Sequence, residues 1–173
     1  MQRRMMWLLA VGSVLIALGV PVLAESGSAP DAREALAREL RGAWLPLESG
    51  MTLSRSEGIP ISAKYEIDDG TFQLSVYVIS GDRMSEVIVD YSVGTIAQVD
   101  VLTDSADLAA AHTQRLAMAA ATRSLEAATA DAVGANSGYR AVSAMPRLTD
   151  GHPVAEITLV NGTDWRVVLE RLD

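Results

Sequence analysis

Alternating apolar and polar residues between residues 58 and 90 predict three consecutive β-strands. Apolar side chains occupy every second position from Ile59 to Ile67, and Ser62, Lys64 and Glu66 between them are polar. A period of two residues is typical of a strand with one buried face. The pattern resumes from Phe72 to Val78, and the third strand is expected at Met84–Asp90. The pairs Asp69-Gly70 and Gly81-Asp82 between these runs are typical of hairpin turns. We therefore expect an antiparallel meander here.

A helix is predicted before these strands, from Asp31 to about Arg41. The segment consists of strong helix formers, and Leu36, Leu40 and Trp44 recur at a spacing of four residues. Such a spacing places the three side chains in one apolar stripe. Residues 47–57, which follow, are predicted to form a loop.

An alanine-rich stretch follows a fourth predicted strand at about Thr95–Leu102. Residues 106–135 include thirteen alanines and no proline. This composition predicts a long helix, either continuous or broken near Thr122–Ser124. Its larger apolar side chains spread over more than one face, so we expect it to pack against more than one neighbour.

A second set of three strands is predicted between Tyr139 and Leu172. The turns between them are Asp150-Gly151 and Asn161-Gly162, and Asn-Gly between apolar strands is among the strongest hairpin signals. The two strand sets superimpose at a constant offset in residue number, which maps Asp69-Gly70 onto Asp150-Gly151.

The repeat predicts an α+β fold of two similar units, each a helix packed on an antiparallel meander. The first unit spans residues 31–102 and has four strands, and the second spans residues 103–173 and has three. The long alanine-rich helix joins them. The pattern leaves open whether the two units form one sheet or two.

The first unit resembles the PepSY domain, a family named after peptidase propeptides and a spore-cortex-associated protein. The resemblance rests on the order of helix, strands and turns, and on Val89-Asp90 followed by Gly94-Thr95-Ile96. The second unit is similar at Asp150-Gly151, Ala155-Glu156-Ile157 and Asn161-Gly162 but lacks the closing glycine and the fourth strand. The resemblance implies a cystatin-like arrangement of helix on sheet. It also implies that the protein restrains or chaperones secreted peptidases, or serves as a sensor or accessory domain at the cell envelope.

Residues 1–24 are typical of a secretory signal peptide. Two arginines precede an uncharged apolar run from Met5 to Val20, and small or apolar residues lead to Ala24. We expect cleavage after Ala24, a flexible N-terminus at residues 25–30, and a periplasmic or secreted chain. The apolar run is short for a membrane span of about 20 residues, so an uncleaved anchor is the less favoured alternative.

Composition argues against several classes of function. The net charge of −8 becomes −10 once the two N-terminal arginines are removed, which disfavours nucleic acid and anionic lipid as partners. No cysteine is present, so disulfides and a cysteine nucleophile are excluded. His112 and His152 lack the spacing of metal ligands, and no hydrolase or phosphate-loop motif is present. We expect neither an enzyme nor a cofactor or metal site.

The remaining candidate is a binding surface on the first meander. A helix that covers one face of an antiparallel sheet can leave the other face open. That face would carry seven side chains: Ser62, Lys64, Glu66, Gln73, Ser75, Tyr77 and Glu86. Tyr77, with Lys64, Glu66 and Gln73, forms the candidate binding site, because an exposed tyrosine is a plausible recognition anchor. The alternative is that Tyr77 packs across a strand or against the second unit.

The leading hypothesis is a non-catalytic periplasmic PepSY-type binding protein that modulates or inhibits a secreted peptidase or another envelope protein. It would have no membrane span after signal cleavage, and its oligomeric state is open. The alternative is a carrier or sensor of a small apolar ligand held between the two units beside the alanine-rich helix.

Overall fold

The computed structural model describes residues 29–173, which form four helices and seven strands. The helices are α1 (Ala29–Leu40), α2 (Leu47–Ser54), α3 (Ser105–Ala120) and α4 (Leu125–Ala135). The strands are β1 (Ile59–Asp68), β2 (Thr71–Ser80), β3 (Arg83–Asp90), β4 (Thr95–Val101), β5 (Arg140–Thr149), β6 (His152–Asn161) and β7 (Asp164–Arg171).

All seven strands belong to one antiparallel sheet with the order β4-β3-β2-β1-β5-β6-β7. β1 and β5 join the two strand sets at the centre of the sheet. The predicted α+β class is therefore confirmed, and the open question of one sheet or two is answered by a single sheet. Its two edge strands are β4 and β7.

Helices cover both faces of the sheet. α1, α2 and α4 lie on one face, where they enclose the main apolar core. The sheet contributes Tyr65, Leu74 and Ile157 to this core, and α2 and α4 contribute Met51 and Leu125; each is at most 2 % exposed. α3 lies on the opposite face, mainly over β1, β5 and β6, and encloses a smaller apolar cluster.

The strands in the two halves of the sheet recur at a constant offset along the chain. β1 begins at residue 59 and β5 at residue 140, and the same offset separates β2 from β6 and β3 from β7. The turn residues Asp69 and Asp150 both have positive φ angles, 47° and 52°. At the central junction Ala63 pairs with Ala144, its own counterpart at that offset. Because equivalent residues pair antiparallel, the strands of the two halves are related by an approximate two-fold axis normal to the sheet.

The prediction of a loop at residues 47–57 is wrong for most of its length, because Leu47 and Met51 lie one turn apart, both face the core, and the segment forms α2. The alanine-rich stretch is broken near Thr122–Ser124, one of the two forms predicted for it. Ser124 caps α4 by accepting a hydrogen bond from the N–H of Ala127 at 3.3 Å.

The predicted first helix is present, with shifted limits. It begins at Ala29, before Asp31 and inside the stretch expected to be flexible. Leu40 is buried, whereas Trp44 lies beyond the end of the helix and is 60 % exposed. The indole Nε1 of Trp44 donates a hydrogen bond to the carbonyl of Ser92 at 2.5 Å. The predicted stripe therefore ends at Leu40.

The link between α3 and α4 carries the chain from one face of the sheet to the other. The N–H groups of Thr122 and Arg123 donate to the carbonyl oxygen of Leu172, at 2.7 and 2.9 Å. Leu172 follows β7 and is fully buried. The alanine-rich stretch thus contacts several neighbours, as expected: α3 packs on the sheet, and α4 packs on both the sheet and α2.

The predicted signal peptide and most of the expected flexible N-terminus lie outside the described residues. Across residues 29–173, no helix is both long enough and apolar enough to cross a membrane.

Candidate functional site

The predicted binding face of β1 and β2 is covered. Tyr77 is 1 % exposed, Gln73 5 % and Lys64 9 %. Ser62 Oγ donates a hydrogen bond to Gln114 Oε1 of α3 at 2.8 Å, which places that helix over the sheet. The expectation of an open face is therefore wrong at these residues, which are buried, and α3 packs on this face at Ser62 and Tyr77. Of the alternative positions expected for Tyr77, the structure shows packing across a strand, because its hydroxyl bonds to Glu86 of the neighbouring strand β3.

The covered polar side chains bond to one another. Lys64 Nζ lies 2.5 Å from Glu66 Oε2, and Ser75 Oγ donates to Glu66 Oε1 at 2.7 Å. Gln73 Nε2 donates to Ser75 Oγ at 3.0 Å. Glu66 keeps a side-chain exposure of 17 %. The structure thus brings the predicted site residues together as a closed network, and such networks favour one packing arrangement over others.

Tyr77 extends this network to Glu86 on β3. Its hydroxyl donates to Glu86 Oε1 at 2.9 Å. Burial, reinforced by the carboxylates of Glu86 and Glu66, raises the pKa of Tyr77 far above its usual range, so the phenol stays protonated. Burial also raises the pKa of Glu86, although hydrogen bonds from Ser75 and Tyr77 oppose the shift. We call the residues Lys64, Glu66, Gln73, Ser75, Tyr77 and Glu86 the buried polar network.

The same face of the sheet is open at β7. Residues that pair directly across strands share a face. A line of such pairs runs from the buried polar network to β7 through Lys64, Ser143, Thr158 and Val167. Val167 is 61 % exposed and Leu169 is 55 % exposed. α3 lies mainly over β1, β5 and β6, so it leaves these two apolar side chains in solvent.

The outer edge of β7 has no strand paired with it in residues 29–173. The N–H of Leu172 donates to the carbonyl of Pro153 at 3.0 Å, which extends the β6–β7 ladder. Hydrogen-bonded pairs alternate along an antiparallel ladder, and the β6–β7 register has no shift. The even-numbered residues therefore bond to β6, and the backbone groups that point outward belong to Trp165, Val167, Leu169 and Arg171. We call this edge, together with the side chains of Val167 and Leu169, the β7 surface.

A groove lies beside the first residues of β7. It has a volume of about 540 Å³, with Trp165 on one side and α1 on the other. The guanidinium of Arg33 lies 5.8 Å from the centre of the Trp165 ring, within reach of a cation–π interaction. Its lining comes from α1, Thr163 and Trp165, and it includes neither Val167 nor Leu169.

The opposite edge of the sheet, β4, is less regular. The β3–β4 pairing shifts between Ile88 and Val89, which is a β-bulge. Bulges twist an edge strand and hinder further pairing. The β6–β7 ladder has no such shift, so β7 is the better template for an added strand.

A smaller cavity lies where α2, β1 and the α3–α4 link meet, with a volume of about 190 Å³. Its walls include three charged side chains, Arg55, Arg123 and Glu126. Glu126 is 9 % exposed; its Oε1 accepts no hydrogen bond from the described residues, although Arg55 Nη1 lies 3.5 Å away. Ligand pockets usually exceed about 300 Å³ and have mainly apolar walls. This cavity therefore gives little support to the carrier hypothesis, which stays a prediction.

Neither histidine lies in a cluster of potential metal ligands within the described residues. His112 is exposed on α3. His152 Nδ1 lies 2.8 Å from Asp173 Oδ2 at the surface.

Comparisons of the chain with family models, with curated proteins and with solved structures gave no match. The resemblance to the PepSY domain rests on the residues alone and stays a prediction.

Sequence reasoning does not single out Val167 or Leu169. Alternation marks their segment as a strand but does not show which part of the sheet α3 covers. One usable signal is that the second strand set lacks a fourth strand. The third strand of that set would then lie at an edge, as β7 does.

Proposed function

We propose that the protein is a non-catalytic, exported PepSY-type binding protein in which two cystatin-like units share one sheet. It binds a secreted peptidase or another envelope protein and modulates that partner's activity. The partner supplies an extended segment, which adds to the sheet along the β7 surface.

The observation that carries this proposal is the regular outer edge of β7, which is unpaired within residues 29–173 and is flanked by exposed apolar side chains. Edge backbone groups give affinity to an added strand, and alternate side chains give selectivity. Val167 and Leu169 are 61 % and 55 % exposed and lie on one face, so they would contact every second residue of the bound segment.

The two-unit interpretation is supported by the strand spacing and by the central junction. Three strand pairs recur at the same offset along the chain. Ala63 pairs with its counterpart Ala144, as expected when two similar meanders meet edge to edge. The expected signal peptide supports a role outside the cytoplasm.

Recovery of a partner from an envelope extract, followed by titration of the purified pair, tests this function. Leu169→Pro removes an outward-pointing N–H, which an edge strand tolerates, and we expect it to abolish binding. Val167→Lys places a charge on the apolar face and should weaken binding. Leu116→Lys is the matched control, because Leu116 is 63 % exposed on α3, away from the β7 surface.

Equal binding by the wild-type protein, Leu169→Pro and Val167→Lys would exclude the β7 surface as the binding site. Failure of the wild-type protein to recover any partner would contradict the proposed function itself.

A further inference from the structure

We propose that two copies of this chain pair through their β7 edges, antiparallel and in register about a two-fold axis at Val168. The inference does not depend on the proposed partner. It follows from the backbone pattern, the charges and the apolar side chains of β7.

The backbone pattern limits the possible registers. Outward-pointing groups belong to residues 165, 167, 169 and 171, so only these residues can bond to a second copy. An axis at Val168 places Val167 opposite Leu169, and Trp165 opposite Arg171. All four outward residues of each copy are then used, and the two half-buried Val168 side chains meet at the axis.

The charges of β7 are complementary in this register. Arg166 of each copy lies opposite Glu170 of the other, so the interface contains two equivalent ion pairs. The Arg166 side chain is 53 % exposed and lies 3.4 Å from Asp164, and that of Glu170 is 27 % exposed and lies 3.5 Å from Arg123. In the dimer, each would share its present partner with the facing charge of the other copy. Opposite charges in directly facing positions stabilise paired strands.

The apolar side chains are also complementary. Val167 and Leu169 face each other twice, which joins four exposed apolar side chains into one strip on the face that α3 leaves open. Removal of this apolar area from water favours association.

Neighbouring registers are less favourable. An axis at Val167 places Asp164 opposite Glu170, which are like charges. An axis at Leu169 places Glu170 opposite Val168 and leaves Arg166 opposite Leu172. Directly opposed like charges or unmatched charges destabilise a strand pair, so the axis at Val168 is preferred.

The chain already uses this kind of contact internally. β1 and β5 join edge to edge about the pair Ala63–Ala144. A β7–β7 contact would repeat that arrangement and give a continuous sheet of fourteen strands, seven from each copy. Its remaining edges would be the two β4 strands, whose bulges hinder further pairing. The assembly therefore stops at a dimer.

The dimer would occupy the β7 surface and so compete with any other strand that binds there. One pair of short strands buries a small area, so we expect reversible association in the micromolar range.

Sedimentation velocity of the purified chain across micromolar to near-millimolar concentrations tests the dimer. We expect reversible dimers of the wild-type protein. Arg166→Glu and Glu170→Arg should each lower the association constant by about tenfold or more, because each places two pairs of like charges face to face.

A mixture of these two charge variants should recover association as a heterodimer. The introduced glutamate at position 166 of one copy then faces the introduced arginine at position 170 of the other. The second ion pair of the heterodimer joins the native Arg166 to the native Glu170. Both facing pairs are again of opposite charge.

A single cysteine gives an independent readout, because the native chain contains none. Facing residues at a non-hydrogen-bonded pair lie about 4.5 Å apart, within the range that a disulfide spans. Val168→Cys should therefore form crosslinked dimers on oxidation, and Leu116→Cys on α3 should not.

A monomer at every concentration overturns the proposal. So does a wild-type dimer that both charge variants retain, or equal crosslinking through positions 116 and 168. Thermal unfolding of each variant shows whether a loss of association reflects a loss of folding.

Discussion

Two regions of one sheet face have opposite character. On β1 and β2, the side chains of Lys64, Gln73 and Tyr77 are polar and buried. On β7, Val167 and Leu169 are apolar and exposed. On this face, polar side chains are therefore buried and apolar side chains are exposed, which is the reverse of the usual distribution. The difference shows that the position of one helix, rather than the alternation along each strand, decides which residues are accessible.

The same contrast is present at two equivalent positions in the repeated strand sets. Glu86 and Val167 occupy the same place in β3 and β7, the third strands of the two repeated sets. Glu86 bonds to Tyr77 in the buried polar network, whereas Val167 lies in solvent. β3 is paired on both sides, but β7 is paired on one side within the described residues. An exposed valine beside a free edge is typical of a docking surface, and a buried hydrogen-bonded carboxylate is typical of a structural role.

The largest expected effect is at Tyr77. Tyr77→Ala removes a buried ring and one of the hydrogen-bond donors to Glu86, so it should lower the free energy of unfolding by about 3–5 kcal/mol. Urea denaturation measures the change. A change in the free energy of unfolding as small as that of a substitution at an exposed site would show that Tyr77 is not buried.

A smaller effect is expected at the contact between α3 and β1. Gln114→Ala removes the acceptor for Ser62 Oγ, which lies 2.8 Å away in a buried site. An unsatisfied buried donor costs about 1–3 kcal/mol, so the free energy of unfolding should fall by that amount. The double variant Ser62→Ala, Gln114→Ala should lose less than the sum of the single changes. Additive losses in the free energy of unfolding would show that the two side chains do not interact. Leu116→Ala, on the outer side of α3, is the control.

The buried polar network should also give a pH dependence. The pKa of Glu86 is raised in the folded protein, so the folded state binds a proton more tightly there than the unfolded chain does. Glu86 therefore stabilises the folded state at pH values below the ordinary glutamate pKa of about 4.3. This contribution is lost as the pH rises through the pKa that Glu86 has in the folded protein. Glu86→Gln keeps the acceptor for Tyr77 and cannot ionise. We expect its stability relative to wild type to increase with pH over this range, and a constant difference would contradict the shift.

The smallest effects are expected on β7. Val167→Ala and Leu169→Ala change side chains that are mostly in solvent, so each should alter the free energy of unfolding by less than about 0.5 kcal/mol. The same changes should weaken self-association or partner binding, since both remove apolar contact area. A large loss of stability from either change would show that the two side chains are buried within one copy.

Much of the fold could be predicted from residues alone. Strands with a period of two, Asp-Gly and Asn-Gly turns and the repeat of the strand set indicated the seven strands that the structure contains. These signals are local, because turn residues and alternation act within a few residues of the chain. The segment that forms α2 was predicted as a loop, because the local sequence does not show the core that Leu47 and Met51 face.

The sequence by itself determined the strands, their turns, the α+β class and the separation of polar from apolar faces. Only the tertiary structure decided that β1 and β5 join the strands into one sheet and that α3 packs against Ser62 and Tyr77 on the polar face of β1 and β2. The physical reason is that alternation shows which side chains share a face, whereas exposure depends on which distant segment packs there. The α3–α4 link, bonded to the carbonyl of Leu172 from the far end of the second strand set, is such a long-range contact.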